Sequence, residues 1–289
     1  MLTNALVTGT TGFLGAAIAE RLSSEMKIHG CGHTQSFNGT QVDLRDPAAV
    51  SALISATAPN VVIHSAAYRD PDFCESNPEE ARRLNVGSVQ SLCDALPAET
   101  YLIFISSDYV FEGQNPPHDE DAPRNPCSIY GRSKCEAEDI VSARPHSLSL
   151  RIPVLIGGGG SPEQSGYVGQ LVRCVLEKTP VTQDHHHVRY PTWIDDVADA
   201  VSFLIEKQPS GVMHYSGAEP STRYEAALEV AKLLNTSSAH ISPSEASIAR
   251  GAVRPWNSAL STERIRNLGY TRFTPFGSVV QRIADSFTP

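Results

Sequence analysis

The sequence contains no Cys-x-x-Cys pair, no run of basic residues, and no apolar stretch approaching the ~18–20 residues that cross a bilayer. Its six cysteines (31, 74, 93, 127, 135 and 174) follow no regular spacing. Reduced thiols explain them better than a disulfide framework or a zinc site. The formal charge of −9 comes with scattered lysines and arginines, so nucleic acid is offered no basic stripe. There is no internal repeat and no low-complexity tail. Met1-Leu2-Thr3-Asn4 leads straight into an apolar run, so no signal peptide is expected. The expectation is a cytoplasmic protein without membrane association. At 289 residues the chain can bury a large core, as one domain or two closely joined ones.

What is present is a nucleotide signature. Ala5-Leu6-Val7-Thr8 is a short apolar run, followed at once by Gly9-Thr10-Thr11-Gly12-Phe13-Leu14-Gly15. Ala16, Ile18, Ala19 and Leu22 then supply a helical apolar face. Strand, glycine loop and helix are the context in which a glycine fingerprint carries meaning. Gly9 permits a tight turn, Gly12 lets main-chain N–H groups approach a pyrophosphate, and Gly15 lets the helix pack closely on the sheet. A second run, Lys27-Ile28-His29-Gly30, leads into Cys31-Gly32-His33-Thr34-Gln35-Ser36 without the Asp or Glu that selects the ribose 2′-hydroxyl of NAD. That absence leaves room for a 2′-phosphate, with His33, Thr34 and Gln35 as candidate contacts. NADP(H) is therefore expected in preference to NAD(H). After Val61-Val62-Ile63-His64, the small residues Ser65, Ala66 and Ala67 would let a dinucleotide lie across the strand ends.

A second constellation lies mid-chain. Ser107-Asp108-Tyr109-Val110-Phe111 ends an apolar run, and Tyr130 is followed four residues later by Lys134. Residues at this spacing share one helix face. An ammonium beside a phenol favours the phenolate, so Lys134 is expected to lower the Tyr130 pKa from its usual ~10. Such a phenol exchanges a proton with an oxygen while hydride moves on the neighbouring carbon.

Helical patterns cover roughly 46–57, 78–95 and 128–143, and apolar strands lie near 61–64, 101–106 and 147–152. The alternation predicts an α/β fold with a parallel, doubly wound sheet. Beyond Pro153 it loosens. Gly157-Gly158-Gly159-Gly160-Ser161-Pro162 reads as a loop. Val188-Arg189-Tyr190-Pro191 looks strand-like, a helix is predicted from Asp195 to Glu206, and Val212–Tyr215 reads as a strand. Thr222 and Glu225 form a capping box for a helix ending near Leu234. A short helix runs from Ser261 toward Gly269.

The Gly-x-x-Gly-x-x-Gly spacing resembles the extended short-chain dehydrogenase/reductases. Over most of its length the chain resembles their dTDP-4-dehydrorhamnose reductase family. The likeness rests on Thr8–Gly15, Ser106–Gly113, Tyr130-Gly131-Arg132-Ser133-Lys134 and Leu150-Arg151-Ile152-Pro153. It continues through Tyr190-Pro191-Thr192-Trp193-Ile194-Asp195-Asp196-Val197-Ala198, His214–Gly217 and Arg254-Pro255-Trp256-Asn257-Ser258. Some wording, Ser106-Ser107-Asp108 and Asn115-Pro116-Pro117, is closer to the regulatory β subunits of methionine adenosyltransferase. The resemblance implies a Rossmann-type NADP-binding domain over 1–150, with later returns near 188–215. Residues 151–289 would form mainly a smaller, mixed α/β substrate domain.

By that resemblance Ser107 orients a substrate carbonyl, Tyr130 donates the proton, and Lys134 binds the nicotinamide ribose. Asp43, with Leu44, would face the adenine amino group. Arg69, Ile152 and Pro153 would lie along the cofactor, beside Thr11, Phe13 and Leu14 of the glycine loop. Asp108, Tyr109 and Val110 would face substrate. Arg189, Trp193, Arg254 and Trp256 could hold an anionic, ring-bearing substrate by ion pairing and stacking. His185-His186-His187 cannot all face one metal from a regular strand, since alternate side chains point to opposite faces. The run reads as a polar loop at the cleft rim.

Three functions follow as expectations. The first is an NADP(H)-dependent reductase of a nucleotide-linked 4-keto-sugar. The second is a non-catalytic NADP-binding regulator docked on a partner enzyme such as methionine adenosyltransferase. The third is a short-chain oxidoreductase of a non-sugar secondary metabolite. The implied partners are a polar small-molecule substrate and either a second copy of the chain or that partner enzyme. Ile283–Pro289 is a candidate docking tail.

Overall fold

The computed structural model describes residues 3–34, 39–157, 166–247 and 251–285. Gln35, most of the glycine-rich loop after Gly157 and the last four residues of the candidate docking tail lie outside them. The chain begins β1 (Asn4–Thr8), α1 (Phe13–Leu22), β2 (Lys27–Gly32), β3 (Gly39–Gln41), α2 (Pro47–Thr57) and β4 (Val61–His64). Then come α3 (Pro71–Ser76), α4 (Pro78–Arg82), a π-helical turn at Arg83–Gly87, α5 (Ser88–Ala95), β5 (Tyr101–Ser107), α6 (Ile129–Ser142) and β6 (Ser147–Ile152). The later part holds β7 (Leu155–Ile156), α7 (Gly166–Glu177), β8 (Val181–Asp184), β9 (Thr192–Trp193), α8 (Ile194–Lys207) and β10 (Gly211–His214). It ends with α9 (Arg223–Leu233), β11 (Ile241–Ser244), α10 (Glu263–Asn267) and α11 (Phe276–Asp285).

Among the described residues, seven parallel strands form one sheet in the order β10-β6-β5-β4-β1-β2-β3. Strands β4, β5 and β6 are buried at every position, as expected of strands covered on both faces. Ile18 and Leu22 of α1 pack with Val197, Val201 and Leu204 of α8 on one face. Val50 and Leu53 of α2, Val89 and Leu92 of α5, and Val141 of α6 cover the other. This is the doubly wound Rossmann architecture that the alternation predicts. The order reverses between β1 and β4, which opens a ligand crevice at their carboxyl ends.

A separate core joins α7, α9 and α11 around Val172, Val230 and Val280, with Trp193 and Ile156 at its border. Next to it β8 and β11 pair as a small parallel sheet. The Thr222–Glu225 capping box forms as predicted. Two local expectations are corrected. The single helix over 78–95 is broken by the π turn, which carries the buried Asn85 whose side chain bonds both N and O of Tyr68, at 2.8 and 3.0 Å. Val188–Pro191 is no strand; Val188 and Arg189 make only isolated bridges, to Asn257 and Ser221. No helix among the described residues is long and apolar enough to cross a membrane.

Candidate active site

The glycine loop leaves β1 at the sheet's reversal point. Thr8 ties it to β4: its Oγ1 is 2.8 Å from His64 Nδ1, and its carbonyl accepts the Ser65 hydroxyl at 2.6 Å. Gly9 adopts φ +75°, and a Cβ there would approach the Ala66 backbone to 3.0 Å. A Cβ on Gly15 would lie 2.3 Å from the Gly9 carbonyl oxygen. Helix α1 begins with no side-chain cap and no acidic residue in its first turn. Its first N–H groups and positive end therefore face the cleft without a protein anion, which suits a phosphate.

One side of the loop opens on a cavity of about 260 Å³ lined by Gly9, Thr11, Gly12, Phe13, Leu14 and Gly15. His33, Asp43, Leu44, Ser65, Ala66, Ala67 and Arg69 complete the lining that the sequence indicated. Thr34 is exposed at its edge in sequence and is not part of the lining. Asp43 is already engaged: Arg45 Nε and Nη2 each donate to its carboxylate at 2.8 Å, and Arg45 reaches Glu80 at 3.2 Å. The Arg45 guanidinium holds the Asp43 carboxyl down at about 2. Sequence reasoning missed Arg45, although its place two residues after Asp43 is the local signal for such a pair. Arg69 borders this cavity and the larger one, with no hydrogen-bond or ion-pair partner among the described residues.

The larger cleft, about 1040 Å³, contains the mid-chain constellation. Ser107 is the last residue of β5. Tyr130 and Lys134 project from α6, whose N-cap Ser128 accepts the Gly131 N–H at 3.2 Å. Gly131 is required by packing, since a Cβ there would lie 2.2 Å from the Tyr109 carbonyl oxygen. All three candidate side chains are buried and border the cleft, beside Ile152 and Pro153. Ser107 Oγ donates to Asp108 Oδ1 at 3.0 Å.

The expected effect of Lys134 on Tyr130 is corrected. Burial pushes the phenol above its ordinary value, and the Ser107 hydroxyl is the nearby group that pulls it back. Lys134 Nζ instead donates to the Ile105 carbonyl at 2.8 Å and lies 5.9 Å from the centre of the Tyr130 ring. Burial lowers Lys134 itself to about 8. Tyr130 is thus held in its protonated form at neutral pH.

Of the substrate-side candidates, Asp108, Tyr109, Arg189, Trp193 and Arg254 line the cleft, whereas Val110 and Trp256 do not. Val110 is fully buried against Phe111 and Leu260, and Trp256 is exposed. Burial raises the Asp108 carboxyl, and Ser258 and Arg189 oppose the rise. Arg189 Nη1 is anchored by the carbonyls of Val188 and Pro255, both at 2.9 Å. Arg254 is bidentate to Asp72, at 3.0 and 2.7 Å. Tyr167, His187, Arg223 and Arg282 also line the cleft. Sequence reasoning put the His185–His187 run at the cleft rim, where His187 lies, but did not assign Tyr167, Arg223 or Arg282; for Tyr167 the only signal was its place after the glycine-rich loop.

Comparison with known proteins gives the family. The family described as RmlD substrate binding domain matches residues 3–288. Methionine adenosyltransferase 2 subunit beta of Rattus norvegicus is 38% identical over 280 residues, covering 94% of this chain and 84% of that protein. A probable dTDP-4,6-dihydroxy-2-methyloxan-3-one 4-ketoreductase of Streptomyces antibioticus is 31% identical over 278 residues, 91% of this chain and 88% of that one. The crystal structure of a hypothetical dTDP-4-dehydrorhamnose reductase from Sulfolobus tokodaii superposes with a TM-score of 0.86 at 26% identity, covering 96% of this chain and 98% of that chain. This chain therefore belongs to the RmlD substrate-binding-domain family, and its doubly wound sheet is that of the extended short-chain dehydrogenase/reductases.

Proposed function

We propose that this chain is an NADP(H)-dependent reductase of a ketone, the ketone being a nucleotide-linked 4-keto-sugar. The observation that carries the reading is Tyr130, buried at the cleft wall with Ser107 and Lys134. Reduction of a ketone needs an acid at the developing alkoxide, and a phenol that stays protonated supplies one. A dihydronicotinamide held between the glycine loop and Lys134 would supply the hydride to the carbonyl carbon. Ser107 holds the carbonyl oxygen in line with the Tyr130 proton. The Lys134 ammonium, 2.8 Å from the Ile105 carbonyl, binds ribose hydroxyls from a fixed position.

The residues fit the dinucleotide. Gly9 and Gly15 have no room for a side chain, and the uncapped α1 terminus suits a phosphate. No carboxylate ends β2, so His33 and Thr34 leave room for a 2′-phosphate and NADP(H) is preferred to NAD(H). Residues 1–150, with returns near 188–215, bind the cofactor, and residues after 151 form mainly the substrate side, where Arg189 meets an anionic group.

A second reading is favoured by the 38% identity to the rat β subunit: an NADP-binding regulator docked on methionine adenosyltransferase. One experiment separates the two. NADPH oxidation is followed with dTDP-4-keto-sugars and small ketones, comparing wild type with Tyr130→Phe. Turnover that falls by about 10²–10⁴ in the variant, with NADPH binding intact, supports the reductase. NADPH binding without turnover of any ketone, with stable complex formation by a methionine adenosyltransferase catalytic chain, replaces it with the regulator. Turnover of small ketones alone moves the substrate to a non-sugar metabolite.

A further inference from the structure

The run His185-His186-His187 has no part in the chemistry above, and its imidazoles take separate places. His185 Nδ1 is 2.9 Å from the Thr222 hydroxyl, and its ring meets Tyr224 edge-on. His187 turns inward, 7% exposed, and borders the cleft. Asp184, at the end of β8, shapes the turn. Its Oδ1 accepts the main-chain N–H groups of His186 and His187, both at 2.9 Å, and its Oδ2 lies 2.7 Å from His187 Nδ1.

The protonation states follow from these contacts. Burial would raise the Asp184 carboxyl, but the N–H groups of His187 and His186 outweigh it and hold it below its ordinary value. Burial lowers the His187 imidazole, and the Asp184 bond offsets only part of that. A neutral ring next to a carboxylate keeps its proton on Nδ1 and donates it there, leaving the Nε2 lone pair as an acceptor. No described residue bonds Nε2.

The surroundings point to a neutral, hydroxyl-bearing ligand at this spot. Trp193 Nε1 and the Tyr167 hydroxyl border the same cleft, buried and without a protein partner. Asp108, Tyr109 and Arg189 line the same cleft. An acceptor at His187, a donor at Trp193 and a hydroxyl at Tyr167 match a ring carrying several hydroxyls better than a second anion. Building on the reductase reading, we propose that His187, held by Asp184, accepts a hydrogen bond from a hydroxyl of the substrate's glycosyl ring and so helps to select it.

The test is calorimetric titration of dTDP-glucose and of dTDP, each with NADP present, into wild type, His187→Phe, His187→Gln and Asp184→Asn. His187→Phe should weaken dTDP-glucose by about five- to tenfold, the loss of one neutral hydrogen bond, and leave dTDP and NADP unchanged. His187→Gln, which retains an acceptor, should recover most of the affinity. Asp184→Asn, which frees the imidazole to change tautomer, should resemble His187→Phe. Equal dTDP-glucose affinity in wild type and His187→Phe overturns the assignment and leaves the reductase reading intact. A parallel loss of NADP and dTDP affinity also overturns it, because the role is then structural. Wild type that binds neither dTDP nor dTDP-glucose sinks the sugar-nucleotide reading and this assignment together.

Discussion

Gly15 stands so close to Gly9 that a Cβ on the helix residue would lie 2.3 Å from the loop residue's carbonyl oxygen. The neighbouring atom is main chain, so the loop itself has to move to admit a methyl group. Gly15→Ala should lower NADPH affinity by at least about tenfold and cost roughly 1–3 kcal/mol of stability by overpacking. Fluorescence titration of NADPH and urea unfolding measure the two effects. A variant that binds NADPH like wild type would show that the cradle does not hold the pyrophosphate.

Lys134 gives a prediction whose sign depends on pH. Its folded value is about 8, against ~10.5 for an unperturbed lysine. Between those values the unfolded chain holds the proton that the folded chain has released. Stability therefore rises with pH across that window, and below about 8 the buried charge exacts its full cost. Lys134→Met should melt above wild type at pH 7, and the difference should shrink toward pH 10. The same variant should bind NADPH more weakly. Thermal melts at a series of pH values check the first effect, and a gap that is constant with pH would contradict it.

Glu138 and Arg151 form a buried pair behind the site. Arg151 Nε and Nη2 donate to Glu138 at 2.9 and 2.7 Å, and the Ser106 hydroxyl donates to the same carboxylate at 2.5 Å. Glu138→Gln leaves the Arg151 charge buried without its counter-ion, which should cost about 3–5 kcal/mol in chemical denaturation. Activity should fall as well, since Ser106 precedes Ser107.

Arg45 should control the ionisation of Asp43. Because the guanidinium depresses that carboxyl to about 2, the pair stabilises the fold above the unfolded value near 3.8, and this is lost as pH falls through about 2. Arg45→Ala should return the Asp43 pKa toward ~3.8, as read by carboxyl NMR titration. NADPH affinity should fall modestly as the cavity wall loosens.

The parts legible in the sequence are those encoded locally. The glycine loop, the β5 end at Ser107 and the Tyr130–Lys134 face each lie within one strand, turn or helix, and there spacing alone sets geometry. The Thr222–Glu225 box was readable for the same reason. Illegible features depend on distant partners. Asp72 meets Arg254 across 182 positions, so the sequence suggested an arginine open to substrate where the fold supplies a carboxylate. Tyr130 shows the same limit: its i+4 neighbour suggested a lowered pKa, whereas burial, a tertiary property, decides the direction. Trp256 lies in one of the motifs on which the resemblance was read, yet the residue is 43% exposed and outside the cleft lining. Six-residue α3 is too short to show a period, whereas α11 was overlooked although Phe276, Val279, Val280 and Ile283 carry the i, i+3, i+4, i+7 spacing of an apolar helix face.

The order of strands at one edge of the sheet has a consequence for how this protein can be divided. Strand β10 and helix α8 come from residues 194–214, yet β10 completes the edge beside β6, and α8 covers the apolar face of α1. A fragment ending at Ile152 would expose Ile18 and Leu22 to water and leave β6 as an unprotected edge, a combination that invites aggregation. Recombination with a relative at that point would carry foreign α8 and β10 surfaces into the first core. Viable chimeras should therefore exchange the segments on either side of residues 194–214 and keep that stretch with its own N-terminal half.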